Sequence, residues 1–322
     1  MLRGKRTTCL VLAAWGINII GLLGLLILVT LYLSRQPVRA AVPPAAPTNT
    51  PLVDLLPTSP SLPRILPKVT LNPLTTPVEV VTPTPFLLSS GRRATVIGLS
   101  ASGRPLEVYT FGQGARHRMI VAGIHGGYEW NTIALADQLI TYLDAHPEAV
   151  PADLTLYILR NLNPDGDARG HTPEGRSNDH GVDLNRNFPV NWQADWPRDG
   201  CWKDTVVTGG TGPGSEPEVK SLMRFMESHP IDALISYHSA ALGIFPGGTP
   251  WDEDSKRLAQ AIADITSYPY PPVDTGCLYT GTLADYVVQM GAAAVDMELS
   301  NHRDTDFDKN LQVLLMFMNW QR

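Results

Sequence analysis

Cysteine is scarce in this sequence, since the 322 residues contain only three. So few cysteines exclude a small domain held together by disulfides, and the chain is long enough to build a hydrophobic core. Charged residues make up only 17% of the chain, and acidic residues outnumber basic ones by 31 to 25. The resulting net charge of −6 argues against a general nucleic-acid-binding protein, which needs a basic surface.

Charge is absent altogether from residues 9–33, which form one apolar run. As a helix this run would be roughly 37 Å long, enough to cross a hydrocarbon core of about 30 Å with some tilt. Three basic residues precede it and favour a cytoplasmic N-terminus. We therefore predict that residues 1–36 are a short cytoplasmic start and a transmembrane signal anchor, which places the rest outside the cytoplasm. The alternative is a signal peptide cleaved near Ala40, which would make the rest a secreted protein.

Glycine is absent from residues 37–87, although 13 of the 28 prolines stand there. Closely spaced prolines remove backbone donors and favour extended polyproline geometry. We predict a disordered, proline-rich stalk over residues 37–89, followed by a single domain over residues 90–322.

The predicted domain alternates between short apolar runs and longer segments with helical periodicity. Strands separated by helices indicate an α/β fold with a largely parallel or mixed sheet. The predicted strands are 94–99, 105–111, 118–124, 153–159, 231–237 and 293–298. The predicted helices are 129–145, 215–229, 253–267, 281–290 and 306–320.

Polar residues follow four of these strands, namely His125, the pair Arg160 and Asn161, His238, and Glu298. Ligands of open α/β sheets bind outside the carboxyl ends of the strands, so we expect these groups to meet. His125 and Glu129 flank a Gly-Gly turn and are able to converge on one cation, with His238 as a third ligand. Two histidines and one glutamate form a known catalytic zinc set. For His125 and Glu129 alone, the alternative is a glycine turn followed by an acidic helix start.

The segment GVDLNRNFP at residues 181–189 closely resembles the substrate-anchoring segment of the zinc metallocarboxypeptidases, the carboxypeptidase A-like or funnelin family. NPDG at 163–166 is similar to a turn of that family, and SEPE at 215–218 is similar to one of its helix starts. The resemblance covers roughly residues 95–320. It implies the family's fold, a mixed, mostly parallel sheet with helices on both faces.

The resemblance also implies a catalytic metal site. His125, Glu129 and His238 would bind one Zn²⁺ ion per chain. Glu298, in DMEL, would be the general base that deprotonates a zinc-activated water. Three residues separate His125 from Glu129, one more than is usual in the family. The Gly-Gly turn either absorbs the additional residue as a bulge or distorts the metal geometry.

Substrate-binding residues follow from the same resemblance. Asn185 and Arg186 would hold the terminal carboxylate of the substrate, for which a planar guanidinium is well suited. Arg176 would be a catalytic residue that polarises the scissile carbonyl. Tyr279 is the candidate for a mobile tyrosine that caps the substrate, and its alternative is an ordinary half-buried loop residue.

The sequence therefore predicts a membrane-tethered, monomeric zinc metallocarboxypeptidase that cleaves a peptide or isopeptide bond next to a free carboxylate. The substrate would be either an ordinary peptide or a cell-wall muropeptide of the diaminopimelate type. The alternative from another class is a catalytically inactive module that binds peptide ends. Cys201 and Cys277 would both lie outside the membrane, where they are able to form a disulfide.

Overall fold

A computed structural model describes residues 86–87, 93–197, 200 and 207–322. The predicted transmembrane segment at 9–33 and nearly all of the predicted stalk lie outside these residues, and both stay predictions. Within the described ranges, no helix is both long enough and apolar enough to cross a membrane.

Eight strands of the described residues form one sheet. They are β1 (Phe86–Leu87), β2 (Arg93–Leu99), β3 (Pro105–Gly112), β4 (Arg116–Val121), β5 (Leu154–Leu159), β6 (Ala233–Ser239), β7 (Ile244–Pro246) and β8 (Ala293–Leu299). Their order across the sheet is β1-β2-β3-β5-β4-β6-β8-β7. The predicted mixed sheet is confirmed, but parallel pairing is limited to the central strands β5, β4, β6 and β8. The outer pairs are antiparallel. Short connections reverse the chain direction between β1 and β2 and between β2 and β3.

Six α-helices accompany the sheet in the described ranges: α1 (Trp130–Ala145), α2 (Pro164–Ala168), α3 (Pro217–Ser228), α4 (Glu253–Ala263), α5 (Leu283–Gln289) and α6 (Phe307–Asn319). Five of them lie within the predicted helical segments. The sixth, α2, is a single short turn of helix that was not predicted, because five residues are too few to show helical periodicity.

Two hydrophobic clusters cover the two faces of the sheet. Alternate residues of β4 divide between them: Met119 and Val121 pack with α3 and α5, whereas Ile120 packs with α1, α4 and α6. This division follows the two-residue period of a strand. The central strands β5 and β6 are buried along their whole length, as expected for strands covered on both faces. The prediction of helices on both faces is therefore confirmed.

The parallel centre of the sheet determines where the polar strand ends meet. His125 follows β4, while His238 and Glu298 are directly paired neighbours near the carboxyl ends of β6 and β8. Neighbouring strands lie about 4.8 Å apart, so the topology alone brings these three residues to one edge.

The polar pair that follows β5 does not join this site. Arg160 forms an ion pair with Asp137 on α1, with a nitrogen–oxygen distance of 2.6 Å. Asn161 donates to the carboxylate of Asp167 over 3.0 Å. The prediction that all four strand ends share one site is therefore wrong for Arg160 and Asn161, because nearby carboxylates occupy both side chains.

Candidate metal and substrate site

A cavity of about 1130 Å³ lies at the carboxyl ends of the parallel strands. All eight residues predicted for the site line it, namely His125, Glu129, Arg176, Asn185, Arg186, His238, Tyr279 and Glu298. Asp183 and Asp296, which were given no role in the sequence analysis, line it as well.

Three buried donors meet at the floor of this cavity. One donor atom from each of His125, Glu129 and His238 lies within 4.8 Å of the others. The Nδ1 atoms of His125 and His238 are 3.3 Å apart. Glu129 approaches both, with Oε1 2.7 Å from His125 Nδ1 and Oε2 3.2 Å from His238 Nδ1. Two facing ring nitrogens at this distance need a proton or a cation between them, because two lone pairs repel each other. The arrangement fits a zinc ion held by two imidazoles and a carboxylate.

The electrostatics of the donors agree with a cation site. Burial raises the pKa of Glu129, but the two histidines outweigh this effect and hold the pKa well below its usual range. Burial lowers the pKa of His238, yet the carboxylates of Asp296 and Glu129 outweigh burial and raise it to about 10. The carboxylates thus attract a positive charge to the space between the rings, which either a proton or a metal ion supplies.

The Gly-Gly turn absorbs the additional residue between His125 and Glu129. Residues Gly126–Glu129 form one turn of 3-10 helix. Gly126 has a φ of +45°, and a Cβ there would lie only 2.8 Å from the carbonyl oxygen of Asn163. Glycine is needed because the backbone is left-handed and the NPDG segment packs directly against it. The Glu129 carboxylate consequently reaches His125, with Oε1 2.7 Å from Nδ1, and an undistorted metal geometry stays a prediction.

Asp183 holds the far side of the His125 ring. Its Oδ1 is 3.1 Å from His125 Nε2, and its Oδ2 accepts from Arg176 Nε and Nη2 over 2.9 and 2.8 Å. Burial raises the pKa of Asp183, but Arg176 and His125 hold it well below its usual range. An ionised Asp183 accepts a hydrogen bond from Nε2–H of His125. This leaves Nδ1 of the ring without a proton and facing the cation position. Sequence reasoning missed this role, although Asp183 lies inside the segment that carried the resemblance.

A tight 3-10 turn, Leu184–Arg186, presents the predicted carboxylate-binding pair. The Asp183 carboxylate caps the turn by accepting from Asn185 N over 3.0 Å. Asn187 anchors the following residues, since its side chain donates to the carbonyl oxygens of Gly209 and Gly212 and accepts from Glu216 N. Asp183 and Asn187 therefore hold the two ends of the turn, and Asn185 and Arg186 within it line the cavity.

Arg186 is buried with its guanidinium between two aromatic rings. The guanidinium carbon lies 5.9 Å from the Trp196 ring centre and 5.2 Å from that of Tyr279. Its Nη1 donates to the Asn185 carbonyl over 2.6 Å. Burial lowers the pKa of Arg186, while Asp183 opposes this effect. Tyr279 therefore lies at the predicted carboxylate site, and its hydroxyl is 2.9 Å from Thr275 Oγ1.

Glu298 is a carboxylate with unused hydrogen-bonding capacity beside the donors. Its Oε2 is buried and has no hydrogen-bond partner among the described residues. Burial, and then the neighbouring carboxylate of Glu129, raise the pKa of Glu298 to about 8. Such a group is suited to accept and release a proton near neutral pH.

The loop that carries Tyr279 is covalently held. Cys277 is disulfide-bonded, and its partner lies outside the described residues. The sequence analysis left a disulfide of Cys277 with Cys201 open; Cys277 is disulfide-bonded, and Cys201 lies outside the described residues.

The sequence of the described domain matches a known protein family. A model of the zinc carboxypeptidase family matches residues 89–309, which is more than half of the chain. The chain belongs to the zinc carboxypeptidase family. The predicted family and the predicted zinc cofactor are therefore confirmed, and His125, Glu129 and His238 are the candidate zinc residues of this family member.

Relatives of this family member include two kinds of enzyme. Murein peptide amidase A of Escherichia coli K12 is 31% identical over 148 residues, which cover 44% of this chain and 57% of the relative. Carboxypeptidase A2 of Mus musculus is 31% identical over 208 residues, which cover 55% of this chain and 49% of the relative. The chain thus spans about half the length of the curated relatives it matches.

Solved structures share the fold of the described domain. The murein-tripeptide amidase from Escherichia coli O157 superposes with a TM-score of 0.54 at 23% identity, covering 71% of this chain and 92% of that one. Bovine thrombin-activatable fibrinolysis inhibitor, in complex with tick carboxypeptidase inhibitor, superposes with a TM-score of 0.57 at 20% identity. That match covers 70% of this chain and 88% of the bovine chain. At these identities the likeness establishes the architecture alone.

Proposed function

We propose that this family member is a metallocarboxypeptidase that hydrolyses a peptide or isopeptide bond next to a free carboxylate. One observation carries the proposal: a metal-donor triad, a buried carboxylate and a buried guanidinium line the same cavity. The triad suits zinc, Glu298 suits proton transfer, and Arg186 suits recognition of a carboxylate.

His125, Glu129 and His238 would hold the zinc ion, which supplies Lewis-acid polarisation of a carbonyl and lowers the pKa of water. Glu298 takes the proton of the attacking water and delivers it to the leaving amine. Its pKa of about 8 is compatible with both roles, because burial and Glu129 oppose permanent ionisation. Asp183 keeps the His125 ring oriented while Glu298 exchanges its proton.

Arg186 and Asn185 bind the carboxylate of the substrate. The guanidinium is fixed between two rings, so it offers planar donors at little further entropic cost. Tyr279 covers the same position from the neighbouring loop. Arg176 lines the same cavity, 3.6 Å from Glu129 Oε1, and its charge would polarise the scissile carbonyl.

A second candidate substrate is a muropeptide of the diaminopimelate type. The similarity to Escherichia coli murein peptide amidase A favours it. A diaminopimelate residue also offers a free carboxylate, so the same Arg186 site serves both substrate classes. The catalytically inactive binding module is the remaining alternative, and it predicts zinc binding without turnover.

Zinc content and hydrolysis, measured on the full-length protein and its Glu298→Gln variant, test the proposal. We expect about one zinc per chain in both proteins, and a 10²- to 10⁴-fold lower rate in the variant, the usual contribution of a general base. Glu174→Gln is the matched control, because Glu174 is an exposed glutamate at the edge of the same cavity. It should retain full activity. Zinc without turnover on free-carboxylate peptides or muropeptides would support the binding module instead.

We also propose that the domain acts outside the cytoplasm, tethered by residues 9–33. The disulfide at Cys277 supports an oxidising compartment. Protease added to intact cells should remove the domain, and a protected domain would contradict this placement.

A further inference from the structure

Asp296 is a half-buried acid of the cavity wall that the proposed reaction does not use. It stands on β8 two residues before Glu298, so both side chains face the cavity. At about 3.3 Å per residue, Asp296 lies roughly 6.6 Å farther from the carboxyl end of the strand. Its strand neighbours are Ser236 on β6 and Phe245 on β7.

The Asp296 carboxylate has unused hydrogen-bonding capacity. Its Oδ2 accepts from Asn185 Nδ2 over 3.3 Å. Its Oδ1 is buried and has no hydrogen-bond partner among the described residues. The His238 Nε2 atom is 3.5 Å from Oδ1, beyond an ordinary hydrogen bond, and is closer to Ser236 Oγ at 3.1 Å. A carboxylate oxygen buried without a donor is unfavourable unless a ligand supplies one.

The other acids of the cavity already have roles or lie at its edge. Asp183 is paired with Arg176, and Asp285 accepts from Gly248 N over 2.7 Å. Glu174 and Asp274 are exposed to solvent. Asp296 thus has one long ion pair, to His238 Nε2 over 3.5 Å, and a carboxylate oxygen without a hydrogen bond among the described residues.

Asp296 lies next to the proposed binding site for the substrate carboxylate. Asn185, half of the carboxylate-binding pair, is the residue whose amide contacts Asp296. Burial lowers the pKa of Arg186, and the Asp296 carboxylate partly opposes this effect, so the two side chains lie within electrostatic reach of each other. A residue held by its carboxylate at Asn185 and Arg186 therefore has Asp296 within reach of its side chain.

We infer that Asp296 selects substrates whose carboxylate-bearing residue carries a cationic amine in its side chain. This inference rests on the proposed function. An ammonium group would donate a charge-assisted hydrogen bond to the unpartnered Oδ1. The amine is either that of a C-terminal lysine or the second amino group of diaminopimelate.

Full-length, zinc-loaded protein and its Asp296→Asn variant test the inference on acyl dipeptides ending in lysine or norleucine. Norleucine has the same carbon stem without the amine. We expect kcat/KM to favour lysine about tenfold or more in the natural protein, and the ratio to approach one in the variant. Asp274→Asn is the matched control, because it removes an exposed acid from the same cavity and should leave the ratio unchanged. Equal rates on both substrates, or a ratio that survives Asp296→Asn, would overturn the inference.

The two amine sources are separated with γ-D-glutamyl-diaminopimelate and its analogue that lacks the second amine. A preference for the diamine that disappears in Asp296→Asn supports the inference and identifies the muropeptide source, whereas a preference confined to lysine identifies peptides. Zinc content is measured alongside. If Asp296→Asn loses zinc and slows every substrate equally, Asp296 positions His238 and the inference is wrong.

A binding experiment separates failure of this inference from failure of the proposed function. If the natural protein hydrolyses no substrate, the proposed function fails. Calorimetry with free lysine and free norleucine then tests Asp296 without turnover. Tighter binding of lysine that is lost in Asp296→Asn supports the inference, and equal binding of both amino acids contradicts it.

Discussion

Replacing Arg186 with lysine keeps a positive charge on the cavity wall but removes the planar pair of donors. Its guanidinium lies between the rings of Trp196 and Tyr279, so the lysine stem would fill the same apolar space and offer a single donor group. The loss of one hydrogen bond to a charged group costs about 1.5–3 kcal/mol. Because each 1.4 kcal/mol is a factor of ten, kcat/KM for a free-carboxylate substrate should fall about 10- to 150-fold.

The assay compares one peptide with a free C-terminus and the same peptide with an amidated C-terminus. We expect the natural protein to prefer the free acid and Arg186→Lys to lose most of that preference, since the amide makes no ion pair. Arg303→Lys, at an exposed arginine, is the matched control and should behave as the natural protein. Equal losses on the two peptides, or no loss on either, would refute the assignment of Arg186 to the carboxylate.

Three further variants test the support of the site. Asp183→Asn weakens the hydrogen bond that orients His125, a candidate zinc ligand, so the zinc dissociation constant should rise about 10- to 100-fold in chelator competition; an unchanged constant contradicts this role. Gly127→Ala should lower the free energy of unfolding in urea by about 1–3 kcal/mol, because the new Cβ collides with a backbone carbonyl. Gly212→Ala is the control and should leave the free energy of unfolding unchanged, because a Cβ at Gly212 meets open space. Equal losses of stability in Gly127→Ala and Gly212→Ala would contradict this explanation. Asp165→Asn should lower the free energy of unfolding by about 1.5–3 kcal/mol at pH 7, since the buried carboxylate accepts from Arg104 over 2.6 Å. Burial raises the pKa of Asp165, but its hydrogen bonds hold the pKa below 3.8, so the stabilisation is complete above about pH 5 and disappears in stronger acid; a difference between the proteins that does not shrink below pH 3.8 would contradict this reasoning.

The central sheet and the position of the candidate metal donors were predictable because their signals are local. Apolar runs of six or seven residues revealed the long strands, and His238 and Glu298 stand near the ends of two such runs. Parallel pairing then brings the two residues together without further information. The strands β1 and β7 have only two and three residues, too few to show a two-residue period.

Interactions between distant loops were not predictable from local patterns. Asp183 contacts His125 across 58 positions of the chain, and a single sequence does not show which loop carboxylate reaches a given ring. The same limit explains Arg160, whose partner lies on a neighbouring helix. Asp296 had a local signal that the sequence analysis did not use, because it precedes Glu298 by one strand period and must share its face.

X-ray data collected at the zinc absorption edge from crystals of the zinc-loaded protein test the central claim most directly. The account predicts one anomalous peak within ligand distance of His125, Glu129 and His238, beside Glu298. A peak near the two histidines but beyond ligand distance of Glu129 would show that the longer His125–Glu129 spacing prevents Glu129 from binding the metal. A zinc-loaded crystal with no peak at these three residues would contradict the proposed active site.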